Sequence, residues 1–440
     1  MTHTERGKPG SHLIDVRPLT ESPAFARLWV GTLLSGLGTQ LTITAVMLHM
    51  YALTGSTFAV SMIAVAGLVP MVIAGLYGGM LADHFDRRTV ALVAASFGWL
   101  ATLLLAVLAW TGGITEWWLY LLSIVNSCAS SVASATKAAM TPRLVGKALI
   151  PAAAALTGIT TGVMVMVGPA AGGILVAFLG YPITYTIDVV LMLSLFLGLA
   201  TLPRLVPDGQ TTRPGLRSVI DGLAFLRVAP NIRMQFILDI IAMTFGHPIA
   251  LFPAIGALLL GGGEVTAGVL MAAIAAGVLI SSLFSGRIGS VRRQGVGIAR
   301  AIQAFGIATG LFGLVLLAAA FGAFAPAGGP DETSPNLVLI VLACVCLALT
   351  GATDNVSAIF RQTMLQSAVP DAVRGRLQGV FMVVVAGGPR IGALYAGTIA
   401  TLTTLWLPPL LGGMLIVAIV GTVLRFAVGF RAYDAENPRP

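Results

Sequence analysis

Four ionisable side chains stand where ionisable side chains are expensive, and a fifth lies close by. Asp188, Asp239, Asp354 and Arg390 lie well inside long apolar runs, and Arg361 follows Asp354 by seven residues. A charge at the centre of a membrane span costs roughly 2.5 to 3.5 kcal/mol on insertion scales, so each is a functional candidate unless a helix contact absorbs it. Seven residues is two helical turns, which puts Asp354 and Arg361 on one face, where Asp239 can join them from across a cavity. A carboxylate so placed takes up a proton when desolvated and releases it when a guanidinium approaches, which is the chemistry of proton coupling. A fixed buried ion pair suits the same residues, and both readings stay open. Gln40 and Asn126 suit hydrogen bonding to a substrate and equally suit joining helices; His49 and His247 read as an interfacial residue and the start of a His-Pro kink. There is no P-loop, no His-Glu-x-x-His metal pair and no Gly-x-Ser-x-Gly nucleophile turn. The expectation is therefore a protein that is no enzyme and carries no cofactor or metal, driven by an ion gradient or by the solute's own.

The elements that must position these residues follow from composition. Of 440 residues, 57% are hydrophobic and only 10% charged, with mean hydropathy +0.94. Soluble chains carry roughly 25% charged residues, so most of the outer surface must face lipid, and soluble enzymes, secreted disulfide domains and disordered chains are excluded. Apolar segments run at 25–53, 57–82, 89–111, 117–140, 149–179 and 182–202, then, after a polar stretch, at 232–260, 265–287, 297–322, 337–360, 376–402 and 405–428. Twelve helices are expected, because lipid offers backbone groups no water and the runs are too long for barrel strands. The domain reading is an N-terminal segment 1–24, six helices over 25–202, a linker 203–229, six more over 230–428 and a tail 429–440.

The net charge of +8 invites nucleic acid until it is placed along the chain. Alternate loops hold 24 of the 25 basic residues, and the opposite loops hold none. The positive-inside rule then puts both termini in the cytoplasm, and no basic patch is left on a soluble face to bind nucleic acid. Cys128, Cys344 and Cys346 all sit in apolar runs and read as small core side chains. Residues 1–24 have no apolar core of a signal peptide, so the first helix serves as its own insertion signal.

The chain also repeats itself. The segment from Phe58 to Gly78 parallels Thr266 to Gly286 at an offset of 208, and Lys137-Ala-Ala-Met140 parallels Arg361-Gln-Thr-Met364 at an offset of 224. Duplicated halves commonly place a substrate site between them.

Motifs then carry a resemblance. Gly79, Asp83, Arg87 and Arg88, between the second and third helices, resemble the signature loop of the major facilitator superfamily, with His84 and Asp86 as departures. Gly168-Pro169-Ala-Ala-Gly172-Gly173 in the fifth helix resembles the Gly-Pro motif of that superfamily's exporters; small-residue helix packing is the alternative. The run from Gly351 through Arg361 to Arg376, with Gly387-Gly-Pro-Arg390 and Glu21 to Trp29, is similar to the siderophore-exporter and macrolide-efflux branch of drug:proton antiporters.

That resemblance implies an all-α fold of two six-helix bundles, in which helices one, four, seven and ten line the cavity. It places Asp239 and Asp354 in the cavity, Arg390 at the centre or the interface, and Asp188 as a structural contact. It implies a multi-pass protein of the bacterial inner membrane, monomeric, exchanging protons for a bulky amphipathic solute such as a siderophore, a macrolide or another drug. A solute importer of the same fold, or a receptor or scaffold that no longer transports, are the alternatives.

Overall fold

The computed structural model describes residues 15–146, 149–205, 224–284, 291–324, 331, 334–369 and 371–434. The expected segments 1–14 and 435–440, most of the linker (206–223) and the loop arginine Arg287 lie outside the described residues. Within them the chain is helical. After a short turn of helix at Arg17–Glu21, α1 spans Pro23–Thr54, α2 Thr57–His84, α3 Arg87–Thr111 and α4 Glu116–Leu144. One continuous stretch, Ile150–Ala200, holds α5 (150–179) and α6 (181–200). Then come α7 (Pro230–Gly246, with a bent continuation to Leu260), α8 (Gly263–Ser282), α9 (Gln294–Ala320), α10 (Leu337–Ala368), α11 (Asp371–Leu402) and α12 (Leu407–Phe426).

Eleven of these stretches are long and apolar enough to cross a membrane. The 51-residue stretch counts once among them, yet at 1.5 Å per residue a straight helix of that length would be about twice too long for a bilayer. It breaks at Gly180, whose φ of 76° and ψ of 173° belong to no helix. The packing shows the reversal. Gly168 and Gly172 meet Gln40 and Thr44, both numbers rising together, whereas Asp188, Leu195 and Gly198 meet Gly38, Gly31 and Arg27 in descending order. So α5 runs parallel to α1 and α6 antiparallel to it.

Local chemistry sets the ends. Ser22, Ser56, Asp86 and Asn336 accept backbone N–H groups at the starts of α1, α2, α3 and α10, the role for which short oxygen-bearing side chains suit. Gly55 and Gly112 close α1 and α3 in the left-handed conformation. The basic loops gather at one end of the bundle: Ser22 donates to Leu144 O (2.7 Å), Arg27 to Thr201 O (3.4 Å) and Arg292 pairs with Asp434 (2.7 Å). We call this the terminal face.

The first six helices meet the second six through α2 on α11 and α5 on α8. Thr57 Oγ1 donates to Gly397 O (3.1 Å) and lies 2.9 Å from Thr401 Oγ1, and Gly173 and Gly268 approach so closely that a methyl on Gly268 would sit 2.6 Å from Pro169 O. These contacts fall in the half of the bundle away from the terminal face.

One element outruns its hydropathy. The expected tenth span stops at residue 360, but α10 continues to Ala368, with Phe360, Arg361, Met364, Leu365 and Ala368 all buried. Polar Arg361, Gln362 and Gln366 lower the local average, while the helix keeps its buried face through them. Arg361, counted by its sequence among the loop arginines, is thus a buried helical residue, and Lys137, counted the same way, lies within α4.

Candidate functional site

Arg361 is 5% exposed and lies between two carboxylates. Its guanidinium pairs with Asp239 of α7 and, at 3.2 Å, with Asp354 of its own helix. The two acids differ in access, since the Asp239 side chain is 3% exposed and that of Asp354 37%. One turn earlier on the same faces stand Gln235 and Ser357, both buried, whose side-chain polar atoms lack a partner among the described residues. Nothing in the hydropathy pattern marks these two; their signal is the spacing of four residues from Asp239 and from Arg361. Buried polar atoms are nearly always hydrogen-bonded, so a cluster of them around an ion triad has capacity to receive a proton or a polar group.

Asp188 stands apart. It is fully buried on α6, and its Oδ2 accepts from Thr42 Oγ1 of α1 at 2.5 Å. Asn126 Nδ2 donates to Thr102 (3.2 Å), and Ser130 donates to Asn126 Oδ1 (3.3 Å). The Thr42–Asp188 bond ties α1 to α6 and the Asn126–Thr102 bond ties α4 to α3, so of the two roles that suit a mid-helix amide, Asn126 here joins helices. Asn126 is directed at α3 because Thr102 offers it a hydroxyl there. His49, expected at an interface, is instead buried, stacked on Tyr181 at 4.0 Å and 3.3 Å from Tyr185 Oη. His247 ends the first leg of α7, as a His-Pro pair implies.

Arg390 lies on α11 at its contact with α2. Its guanidinium donates to Ala386 O one turn back (2.6 Å) and reaches Met71 Sδ at 3.0 Å. No carboxylate pairs with it among the described residues.

The α2–α3 loop acts as a clasp. Arg87 donates to Ala139 O of α4 (2.9 Å), and Arg88 donates to Ala200 O (2.6 Å) and Leu202 O (2.8 Å), the open carbonyls at the end of α6. Cations at a helix C-terminus also complement its dipole. Asp86, a departure from the family pattern, caps α3 and accepts from Leu205 N at 2.8 Å. Burial pushes its carboxyl upward, but hydrogen bonds from Leu205, Thr89 and Arg88 outweigh this and hold it below the usual carboxylate range. Gly79 has open space where a side chain would stand, and the side chain of Asp83 lies outside the described residues.

The Gly-Pro motif sits where α5 touches two partners. Gly168 faces Gln40, Gly172 faces Leu41 and Thr44, and Gly173 with the Pro169 carbonyl faces α8. Beside it lies a cavity of about 500 Å³, with Trp29, Gln40, Ser130, Lys137, Thr157 and Met164 among its walls. Its lining comes from α1, α3, α4, α5 and α6. This cavity lies within the first six helices, whereas Asp239, Arg361 and Asp354 stand on α7 and α10 of the second six. Gln40 is one of its wall residues.

Paired bundles meeting through α2, α5, α8 and α11, with ionisable groups held inside, define a membrane transporter of the major facilitator type. The chain belongs to the transmembrane secretion effector family, whose pattern it matches over residues 15–440. It is 28% identical over 398 residues to the enterobactin exporter EntS of Shigella boydii serotype 18, covering 90% of this chain and 89% of that one. EntS of Escherichia coli O9:H4 is 28% identical over 400 residues, with the same coverage. Among solved structures, the nucleoside transporter NupG (D323A mutant) aligns with a TM-score of 0.68 at 15% identity, covering 91% of this chain and 99% of that one. The inward-open xylose transporter XylE of E. coli aligns with 0.64 at 12%, covering 91% and 95%. These likenesses show the fold. The protein is a multi-pass transporter of a small-molecule substrate and not an enzyme.

Proposed function

We propose that the chain is a secondary active exporter of the bacterial inner membrane, both termini cytoplasmic, acting as a monomer built from two six-helix halves. It moves a bulky amphipathic solute of the siderophore, macrolide or drug type outward by alternating access, in exchange for protons. The similarity to enterobactin exporters over nine-tenths of the chain carries the export reading. The Gly-Pro motif at the α5–α8 contact supports it, since small residues allow two helices to approach and rock. The Asp239–Arg361–Asp354 cluster supports proton exchange: Asp354, the more open acid, takes the proton, and Arg361 shifts between the two carboxylates. Arg390 contributes a cation at the α2–α11 contact. The test is accumulation in inside-out vesicles under an imposed proton gradient, with siderophores, macrolides and dyes as the panel. Uptake of a solute that collapses with the gradient is expected. If Asp239→Asn and Asp354→Asn both leave gradient-driven uptake intact, proton coupling at this cluster is wrong.

A further inference from the structure

The two halves carry a cation at the same repeat position but treat it in opposite ways. Lys137 of α4 and Arg361 of α10 are repeat mates at the offset of 224. In the second half Arg361 is boxed by Asp239 and Asp354. The same offset carries Asp354 onto Ser130, and the offset of 208 carries Asp239 onto Gly31. Along α1 from Pro23 to Thr54 there is no acidic residue, and the one on α4, Glu116, stands at the far end of that helix. Lys137 accordingly has no ion-pair partner among the described residues, and it lines the cavity.

The rest of that wall sharpens the point. The hydroxyls of Thr39, Thr141, Thr157 and Thr160 donate to carbonyls one turn back in their own helices. Ser130 donates to Asn126, and the Trp29 indole N–H to Leu156 O. Among the described residues, the wall donors left without a hydrogen-bond partner are Lys137, Gln40, Thr32 and Ser134, and the same wall carries the apolar Phe25, Leu28, Met164 and Met192. From Phe25 to Gln40 the cavity runs about 22 Å along α1 at 1.5 Å per residue, deep enough for a solute with one polar end and a large apolar body. An ammonium in such a wall has no counter-ion among the described residues, and an incoming anion supplies one through a charge-assisted hydrogen bond.

We propose that this cavity is an anion-accepting substrate site, in which the Lys137 ammonium takes the acidic group of an amphipathic solute, a carboxylate or an ionised phenol, while Trp29 and Met164 cover its apolar body. The proposal rests on the transporter reading in taking the cavity as the substrate's, and it gives that substrate a charge.

Two probes with the same arylamine body separate charge from greasiness: anionic 1-anilinonaphthalene-8-sulfonate and neutral N-phenyl-1-naphthylamine. Binding of each to the full chain in lipid nanodiscs is read by fluorescence against empty nanodiscs. The wild type is expected to bind the anionic probe more tightly. Lys137→Met should weaken that probe about tenfold, the worth of a charged hydrogen bond, and leave the neutral probe within about twofold. Lys137→Arg should retain the preference for the anion. Retained neutral binding reports an intact cavity, so misfolding cannot imitate the result. Equal loss of both probes in Lys137→Met, or an undiminished anionic preference, overturns the proposal. Because the readout needs no gradient, a chain that fails to export yet shows the preference refutes the export reading alone, and one that exports without it refutes this inference alone.

Discussion

Removing one carboxylate from the Arg361 cluster tests whether its two ion pairs are equivalent. Asp239→Asn leaves a guanidinium, 6% exposed, with Asp354 at 3.2 Å as its remaining carboxylate, and that side chain is itself 37% exposed. Breaking a buried pair by removing one partner costs about 3–5 kcal/mol, because the surviving charge is left poorly compensated. At about 1.4 kcal/mol per factor of ten, that is two to nearly four orders of magnitude in the folded population. Asp354→Asn removes a half-open partner from a guanidinium that keeps Asp239, and should cost about 0–1 kcal/mol. Removing both members of the tight pair, Asp239→Asn with Arg361→Gln, abolishes the uncompensated charge. The double variant should be at least about 2 kcal/mol less destabilised than the sum of its singles. The assay is unfolding of the purified chain in detergent, followed by tryptophan fluorescence, for the wild type, the singles and the double. Additive costs, or an Asp239→Asn as mild as Asp354→Asn, would refute the picture of one tight buried pair with an open third member.

Other consequences are as accessible. Asp86→Ala should cost about 0.5–2 kcal/mol at neutral pH, the worth of a helix cap. Because the folded carboxyl is held below its ordinary value of 3.8, that stabilisation is complete above the unfolded pKa and is lost as pH falls through the folded one. Thermal scans should therefore show the gap to wild type narrowing only below about pH 4; a gap unchanged in acid would count against it. Gly268→Val puts a branched side chain where a methyl already meets Pro169 O at 2.6 Å, so transport should fall severalfold while insertion in the membrane, read by immunoblot, persists. Thr57→Cys with Thr401→Cys, in a chain whose Cys128, Cys344 and Cys346 are serine, should let an oxidant stop transport and a reductant restore it, since the two hydroxyls lie 2.9 Å apart. Unimpeded transport after oxidation, with the cross-link verified by mass shift, would show that this contact does not open.

The spans and the face carrying the basic loops were legible because both are one-dimensional signals: hydropathy averages along the chain, and arginines collect between spans. The spacing of Asp354 and Arg361 was legible for the same reason, since both lie on one helix. Their partner was harder, because Asp239 lies 122 positions before Arg361 and no periodicity links separate helices. In a membrane, lipid-facing and core-facing residues are alike apolar, so the sequence does not say which face of α4 looks into a cavity or toward Thr102. The length of α10 was hidden by its polar residues Arg361, Gln362 and Gln366, which lower the local hydropathy. Asp86 looked like a flaw in a motif until the structure brought Leu205 to it.

One feature of α7 bears on how force passes through the molecule. The helix stops at Gly246, the chain turns through His247 and Pro248, and then resumes as a 3-10 turn, a single α turn and a π turn ending at Leu260. Pro248 has no N–H to give to a helical ladder. Bending at this point therefore forfeits one ladder bond fewer than it would at a residue with an N–H. Mechanically α7 is a jointed strut instead of a beam: the leg bearing Asp239 can tilt while the leg beside α8 keeps its seat, and torque applied at one end is not delivered whole to the other.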